Sequence, residues 1–123
     1  MKIFLVEDSE VILVHLRHIV SEMPGAVVLG EANRQDDAVA GIAVTRPDVV
    51  ILDLGLAQGN GIEVLRHVRP LQPALRFIVL SNKTAEQYRN RCLDLGAHLF
   101  LDKARDLENL PRHLAALEVR PAN

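Results

Sequence analysis

Five side chains stand out for the chemistry they could do together. Glu7 and Asp8 follow the apolar run KIFLV (residues 2–6). Asp53 lies near the end of VVILDL (49–54). Ser81 follows RFIVL (76–80), and Lys103 comes just after HLFL (98–101). Each of these polar groups sits on the carboxyl side of a strand-like run. Three carboxylates gathered at one sheet edge would repel one another. A like pair ~4 Å apart costs about 4 kcal/mol at an effective dielectric near 20. A divalent cation would offset that repulsion, and an oxygen-only donor set suits Mg²⁺ rather than zinc. Lys103 adds a fixed positive charge, and Ser81 a hydroxyl able to donate to an oxyanion. Together these groups are what phosphoryl transfer to a carboxylate needs. Asp53 is the nucleophile candidate because its strand lies between those carrying the others. Glu7 and Asp8 are the metal-ligand candidates.

The elements that would position these groups alternate regularly. Strands are predicted over 2–6, 26–31, 49–54, 76–80 and 98–101. Helices are predicted over roughly 10–22, 35–45, 62–69, 85–94 and 105–118. Ser9 is placed to cap the first helix, and Pro24 and Gly25 to stop it. The inward face of that helix is read as Val11, Ile12, His15, Leu16, Ile19 and Val20. The second helix shows Ala38, Val39, Ile42 and Ala43 on one face and ends before Pro47. Gly96 reads as a left-handed cap after the fourth helix. Pro111 either opens a late-starting last helix or kinks a longer one. Five βα units with near-continuous apolar strands predict an α/β domain with a doubly wound parallel sheet. In such sheets ligands sit beyond the carboxyl ends of the strands, where the strand order reverses.

Other residues with chemical potential read more plainly. His15 and His18 lie one turn apart but have no third ligand in the pattern, so they read as structural or solvated. GNG (residues 59–61) does not match a phosphate-binding loop and reads as a turn and helix start. Cys92 has no thiol-activating motif and reads as packing. Tyr88, Arg89 and Arg91 read as an exposed helix face.

Bulk properties set further bounds. The chain of 123 residues fits one domain (1–123), and its 49% apolar content supports a core without disulfide or metal support. Its net charge of −2 argues against direct nucleic-acid binding by this domain. A single cysteine excludes an internal disulfide and fits a reducing cytoplasm. No apolar run approaches the ~18 residues of a membrane span, and the N-terminus is too short a run for a signal peptide. One Tyr, three Phe and no Trp leave little to stack a flavin ring, which disfavours a flavin-binding reading of the same topology.

The motifs VED (6–8), VVILDLGL (49–56), IVLSN (78–82) and GAHLFLDK (96–103) resemble those of the receiver domains of bacterial two-component response regulators. The resemblance covers essentially the whole chain. It implies a flavodoxin-like sheet of order 2-1-3-4-5 with five helices in three layers. It implies Glu7 and Asp8 as the acidic metal-binding pair, and Asp53 as phosphoacceptor and metal ligand. The backbone carbonyl of Gly55 would be a further ligand. Ser81 matches the switch hydroxyl, Lys103 the lysine that contacts the phosphoryl group, and Phe100 the aromatic switch position. Two positions depart from the pattern. Ala57 and Ala104 stand where many receivers carry proline, and the second leaves the loop after Lys103 undefined.

The resemblance implies a signalling phosphoacceptor that catalyses only its own phosphorylation and dephosphorylation. The donor would be a sensor histidine kinase or a phosphotransfer protein. Phosphorylation would reshape the face built by the fourth helix, fifth strand and last helix, where a protein effector or a second copy would dock. With no effector domain read after residue 120 or so, the first expectation is a stand-alone or phosphorelay protein. The alternative is the receiver half of a longer DNA-binding transcription factor, which the style of LSN and GAHLFLDK also resembles.

Overall fold

A computed structural model describes residues 1–118 of the chain. Its five strands are β1 Lys2–Val6, β2 Val27–Ala32, β3 Val49–Leu52, β4 Arg76–Ser81 and β5 Leu99–Asp102. They form one parallel sheet in the order β2-β1-β3-β4-β5, as predicted. Its helices are α1 Glu10–Ser21, α2 Gln35–Thr45, α3 Gly61–Val68, α4 Glu86–Asp94, α5 Lys103–Asp106 and α6 Leu110–Glu118. Strand alternation sorts the core into two halves. Ile3, Leu5, Ile51 and Leu80 face α1 and α6, whereas Phe4, Val6, Leu52 and Val79 face α2, α3 and α4. Both sheet faces are thereby covered, which is why VVIL of β3 is apolar throughout and wholly buried.

Local signals set most element ends. The Ser9 hydroxyl accepts the Ile12 N–H at 3.3 Å and opens α1. The Asn60 side chain does the same for α3, accepting from Glu63 N at 3.0 Å. Gly96 adopts φ +100° after α4, the left-handed cap its type predicts. The last predicted helix is not continuous. One turn, α5, passes into a 3₁₀ segment, Leu107–Asn109, before α6 begins. Pro111 is the second residue of α6, where its missing N–H leaves no helical bond unmade.

The inward face of α1 differs from the one read in the sequence. Leu13 is buried beside Leu16, Ile19 and Val20, while Val11 is 79% exposed and His15 faces solvent. In α2, Ala38 and Ile42 are buried but Ala43 is exposed. Both helices carry apolar residues around much of their circumference, so periodicity alone does not choose the side. No helix among the described residues is long and apolar enough to cross a membrane.

Candidate functional site

Strands β1 and β3 are neighbours from which the chain crosses over in opposite directions. Their carboxyl ends therefore open a crevice. Val6 ends β1 and Leu52 ends β3, so the next residues, Glu7 and Asp53, enter it side by side. The Asp53 N–H is still held by the Val6 carbonyl at 2.9 Å, and the Glu7 N–H by Ala32 O at 3.0 Å. These bonds extend the ladder one residue past the strands and fix both acidic side chains at their base.

The structure brings all five predicted side chains to this edge. Glu7, Asp53, Ser81 and Lys103 are buried, and Asp8 is exposed. The Lys103 ammonium lies 2.8 Å from Glu7 Oε1 and 3.1 Å from Asp53 Oδ2. One carboxylate oxygen from each of Glu7, Asp8 and Asp53 falls in a group within 4.8 Å of one another. This is a set of hard oxygen donors with no thiolate or imidazole among them, and it fits a small divalent cation. Glu7 already accepts Lys103 on one oxygen and the Ser9 N–H, at 3.0 Å, on the other. Its second lone pairs remain open to an ion or its water. Gly55 lines the same cleft, and its N–H reaches Asp53 Oδ1 at 3.4 Å. Ser81 Oγ accepts the Lys83 N–H at 2.9 Å, which leaves its proton to donate. The cleft measures about 570 Å³, enough for a phosphoryl group and its waters.

The electrostatics follow from the burial. Desolvation pushes the Glu7 carboxyl up to about 7, with the Asp53 charge adding to it. The Lys103 and Ser9 hydrogen bonds oppose that rise without cancelling it. For Lys103, burial pulls the pKa down, but Glu7 and Asp53 outweigh it and the net direction is up. Lys103 therefore stays charged across the neutral range. A stability prediction follows for the metal-free protein. Glu7 binds its proton more tightly folded than unfolded, so its contribution falls as pH rises from about 4.5 to about 7. Unfolding by urea in EDTA is expected to show a loss on the order of 2–3 kcal/mol at most between pH 5 and pH 8. A flat or rising profile would contradict the burial of an acid there.

The loop after Asp53 is fixed from two sides. Ala57 N–H donates to Asn33 O at 2.9 Å, and Gln35 N–H to Gln58 O at 2.9 Å. Ala57 thus uses an N–H that a proline would lack. At the far end, a Cβ on Gly61 would lie 2.2 Å from the Asp53 carbonyl oxygen. No side chain fits that approach, so the Gly61→Ala protein is expected to lose on the order of 1–3 kcal/mol, read as a lower urea midpoint. An unchanged midpoint would show that the loop gives way freely. GNG was read as a turn and helix start, and α3 does begin at Gly61; the close approach to the Asp53 carbonyl was not legible, because it joins residues brought together by the loop.

Other candidates fall elsewhere. Phe100 is buried in the core half that also holds Phe77 and Cys92, on the α4 side of the sheet. His15 lies on the rim of the cleft, and His18 pairs with Glu22 at 3.7 Å instead. Cys92 is fully buried, and desolvation pushes its thiol up to about 11, which suits packing. Tyr88 is half-buried rather than exposed, with the Lys83 ammonium 5.7 Å from its ring centre, whereas Arg89 and Arg91 are exposed as read. The pairing of Lys103 with Glu7 was not read from the sequence, since it joins opposite ends of the chain.

Comparison with known proteins agrees with this frame. Residues 3–115 match the model of the response regulator receiver domain. The DNA-binding transcriptional activator DevR/DosR of Mycobacterium tuberculosis is 38% identical over 102 residues, covering 83% of this chain and 47% of that protein. The activator EvgA of Escherichia coli is 28% identical over 118 residues, covering 96% of this chain and 56% of its own length. This chain spans about half the length of the curated relatives it matches. The crystal structure of a LuxR-family two-component response regulator from Aurantimonas superposes with a TM-score of 0.87 at 28% identity, covering 94% of this chain and 83% of that one. A sequence match over nearly the whole chain, joined to a fold that superposes over 94% of it, shows that this chain belongs to the response regulator receiver domain family.

Proposed function

We propose that this chain accepts a phosphoryl group on Asp53 from the phosphohistidine of a sensor kinase or phosphotransfer protein. The observation that carries the reading is the Lys103 ammonium seated between Glu7 and Asp53, beside an oxygen-donor cluster at the mouth of an open cleft. An Asp53 carboxylate oxygen attacks phosphorus in line, the P–N bond breaks, and the imidazole nitrogen leaves with the electron pair. Asp8, Asp53, the Gly55 carbonyl and Glu7 would hold Mg²⁺, which would supply positive charge toward the phosphoryl oxygens. Lys103 supplies the second positive charge and keeps it because its pKa is raised. Ser81 donates its hydroxyl proton to a phosphoryl oxygen. The chain acts as a phosphoacceptor, catalysing only the gain and loss of its own phosphate.

The acyl phosphate draws Ser81 inward, and Phe100 moves into the space vacated beside β4. The face of α4, β5 and α6 changes shape as a two-state element. That face then meets a protein effector or a second copy of the chain. Two outputs follow, and the relatives bear on them. DevR/DosR and EvgA are DNA-binding activators about twice as long as this chain, which supports the reading as the receiver half of a longer regulator. The other output is a stand-alone or phosphorelay protein. A basic helical stretch encoded directly after Asn123 decides for the first. The chemistry is tested by labelling with phosphoramidate: Mg²⁺-dependent, hydroxylamine-sensitive incorporation is expected, and no incorporation with Mg²⁺ present would overturn it.

A further inference from the structure

We propose that Asp102 and Asp106 are positioning residues for Lys103, an inference that rests on Lys103 serving phosphoryl transfer to Asp53. Lys103 has a long, freely rotating side chain, yet its tip must lie between two carboxylates. Glu7 and Asp53 hold that tip at 2.8 and 3.1 Å. The base of the side chain is held by other means. Asp102 Oδ1 accepts the N–H of Ala104 at 2.9 Å and that of Arg105 at 3.3 Å. Asp106 Oδ2 reaches back to accept the Asp102 N–H at 2.9 Å. These three bonds bracket Lys103 and fix the main chain on both sides of its Cα.

The identity of residue 104 belongs to the same device. Ala104 has an N–H, and Asp102 uses it; a proline there would offer none. The turn after β5 is thus made rigid by side-chain carboxylates. Neither Asp102 nor Asp106 is an ion-pair partner of the Lys103 ammonium, whose partners are Glu7 and Asp53. Asp102 and Asp106 act on Lys103 through the backbone.

The test uses Asp102→Ala, Asp102→Asn and Asp106→Ala, each alone and combined with Lys103→Met. Two quantities are measured on protein shown to be folded: the rate of phosphoramidate labelling at saturating Mg²⁺, and the side-chain NMR signals of ¹³C-labelled lysine without metal. The chain has three lysines, and the Lys103→Met spectrum assigns the third. Asp102→Ala and Asp106→Ala are expected to slow labelling about tenfold, the scale of a small misplacement of a catalytic group. Asp102→Asn keeps a capping oxygen and is expected to stay near the wild-type rate. On the Lys103→Met background the alanine changes are expected to add nothing. In the NMR spectra, the two ε-methylene protons of Lys103 are expected to be distinct in wild type and Asp102→Asn, and to merge in Asp102→Ala. Wild-type labelling by folded Asp102→Ala, equal slowing on the Lys103→Met background, or unchanged Lys103 signals would each overturn the inference. An unlabelled wild type would overturn the Asp53 reading instead, and the metal-free spectra would still report on the position of Lys103.

Discussion

Replacement of Asp53 by asparagine is expected to abolish phosphoramidate labelling and, without Mg²⁺, to make the fold more stable. The first effect follows because an amide oxygen is a poor nucleophile and cannot form the acyl phosphate. The second follows from the charge balance at the crevice. Asp53 faces one cation, Lys103 at 3.1 Å, but shares its space with the Glu7 and Asp8 carboxylates. Among the described residues, the backbone donor to its side chain is Gly55 N–H at a long 3.4 Å, so the asparagine gives up little there. Removing the charge relieves two repulsions and forfeits one attraction. At an effective dielectric near 20 the closer attraction, about 5 kcal/mol, offsets most of two longer repulsions of about 3.5 kcal/mol each, leaving roughly 1–2 kcal/mol in favour of the variant where Glu7 is ionised. It also removes one of the influences that raise Glu7. Urea unfolding in EDTA measures the gain. Residual label on the variant would mean that another residue accepts the phosphate. A metal-free variant less stable than wild type would mean that the cluster is not strained.

Lys103→Met is expected to have the opposite effect on stability. It leaves Glu7 and Asp53 buried together with no cation between them. Removing one partner of a buried ion pair typically costs about 3–5 kcal/mol, because the remaining charge is uncompensated. The cost depends on pH. The Lys103 hydrogen bond holds Glu7 down in the native protein, so the variant's Glu7 rises further above about 7. Protonated Glu7 relieves the repulsion, which makes the penalty smaller at pH 6 and larger at pH 8. Unfolding at the two pH values in EDTA checks the sign, and a variant as stable as wild type at pH 8 would contradict it. Labelling is expected to fall by about 10²–10³-fold, the scale for losing one preorganised donor to developing charge. Mg²⁺ titration by calorimetry separates the two losses. Without Lys103, the carboxylates are freed to bind a cation more tightly, even as transfer slows.

How much of this was legible beforehand depends on the distance over which each feature is decided. Strand-like runs that end in a charged residue are local, and so are Ser9, Asn60 and Gly96 at helix ends. Those features place Glu7, Asp8, Asp53, Ser81 and Lys103 at one sheet edge with no coordinates needed. The inward face of α1 was not legible. The segment EVILVHLRHIVS has apolar residues on nearly every side, so both Val11 and Leu13 satisfy a helical period. Packing against β1, β3 and α6 chose Leu13. The break in the last helix was half legible. Pro111 marked a late start, but the turn at Lys103 depends on Asp102 and Asp106 meeting across four residues.

The sequence by itself therefore determined the alternation of elements, the two-sided sheet and the identities of the groups at its edge. Hydrophobic burial enforces these choices at short range, through the 2-residue and 3.6-residue periods of the backbone. Only the tertiary structure decided how the groups engage. Parallel pairing of β1 with β3 sets Glu7 beside Asp53, and β4 and β5 bring Lys103 across from the far end of the chain to both of them. Their shared burial raises Glu7 and keeps Lys103 charged. Ion pairing and desolvation act between residues distant in sequence, and their strength is fixed by distance and solvent exposure, neither of which any local pattern records.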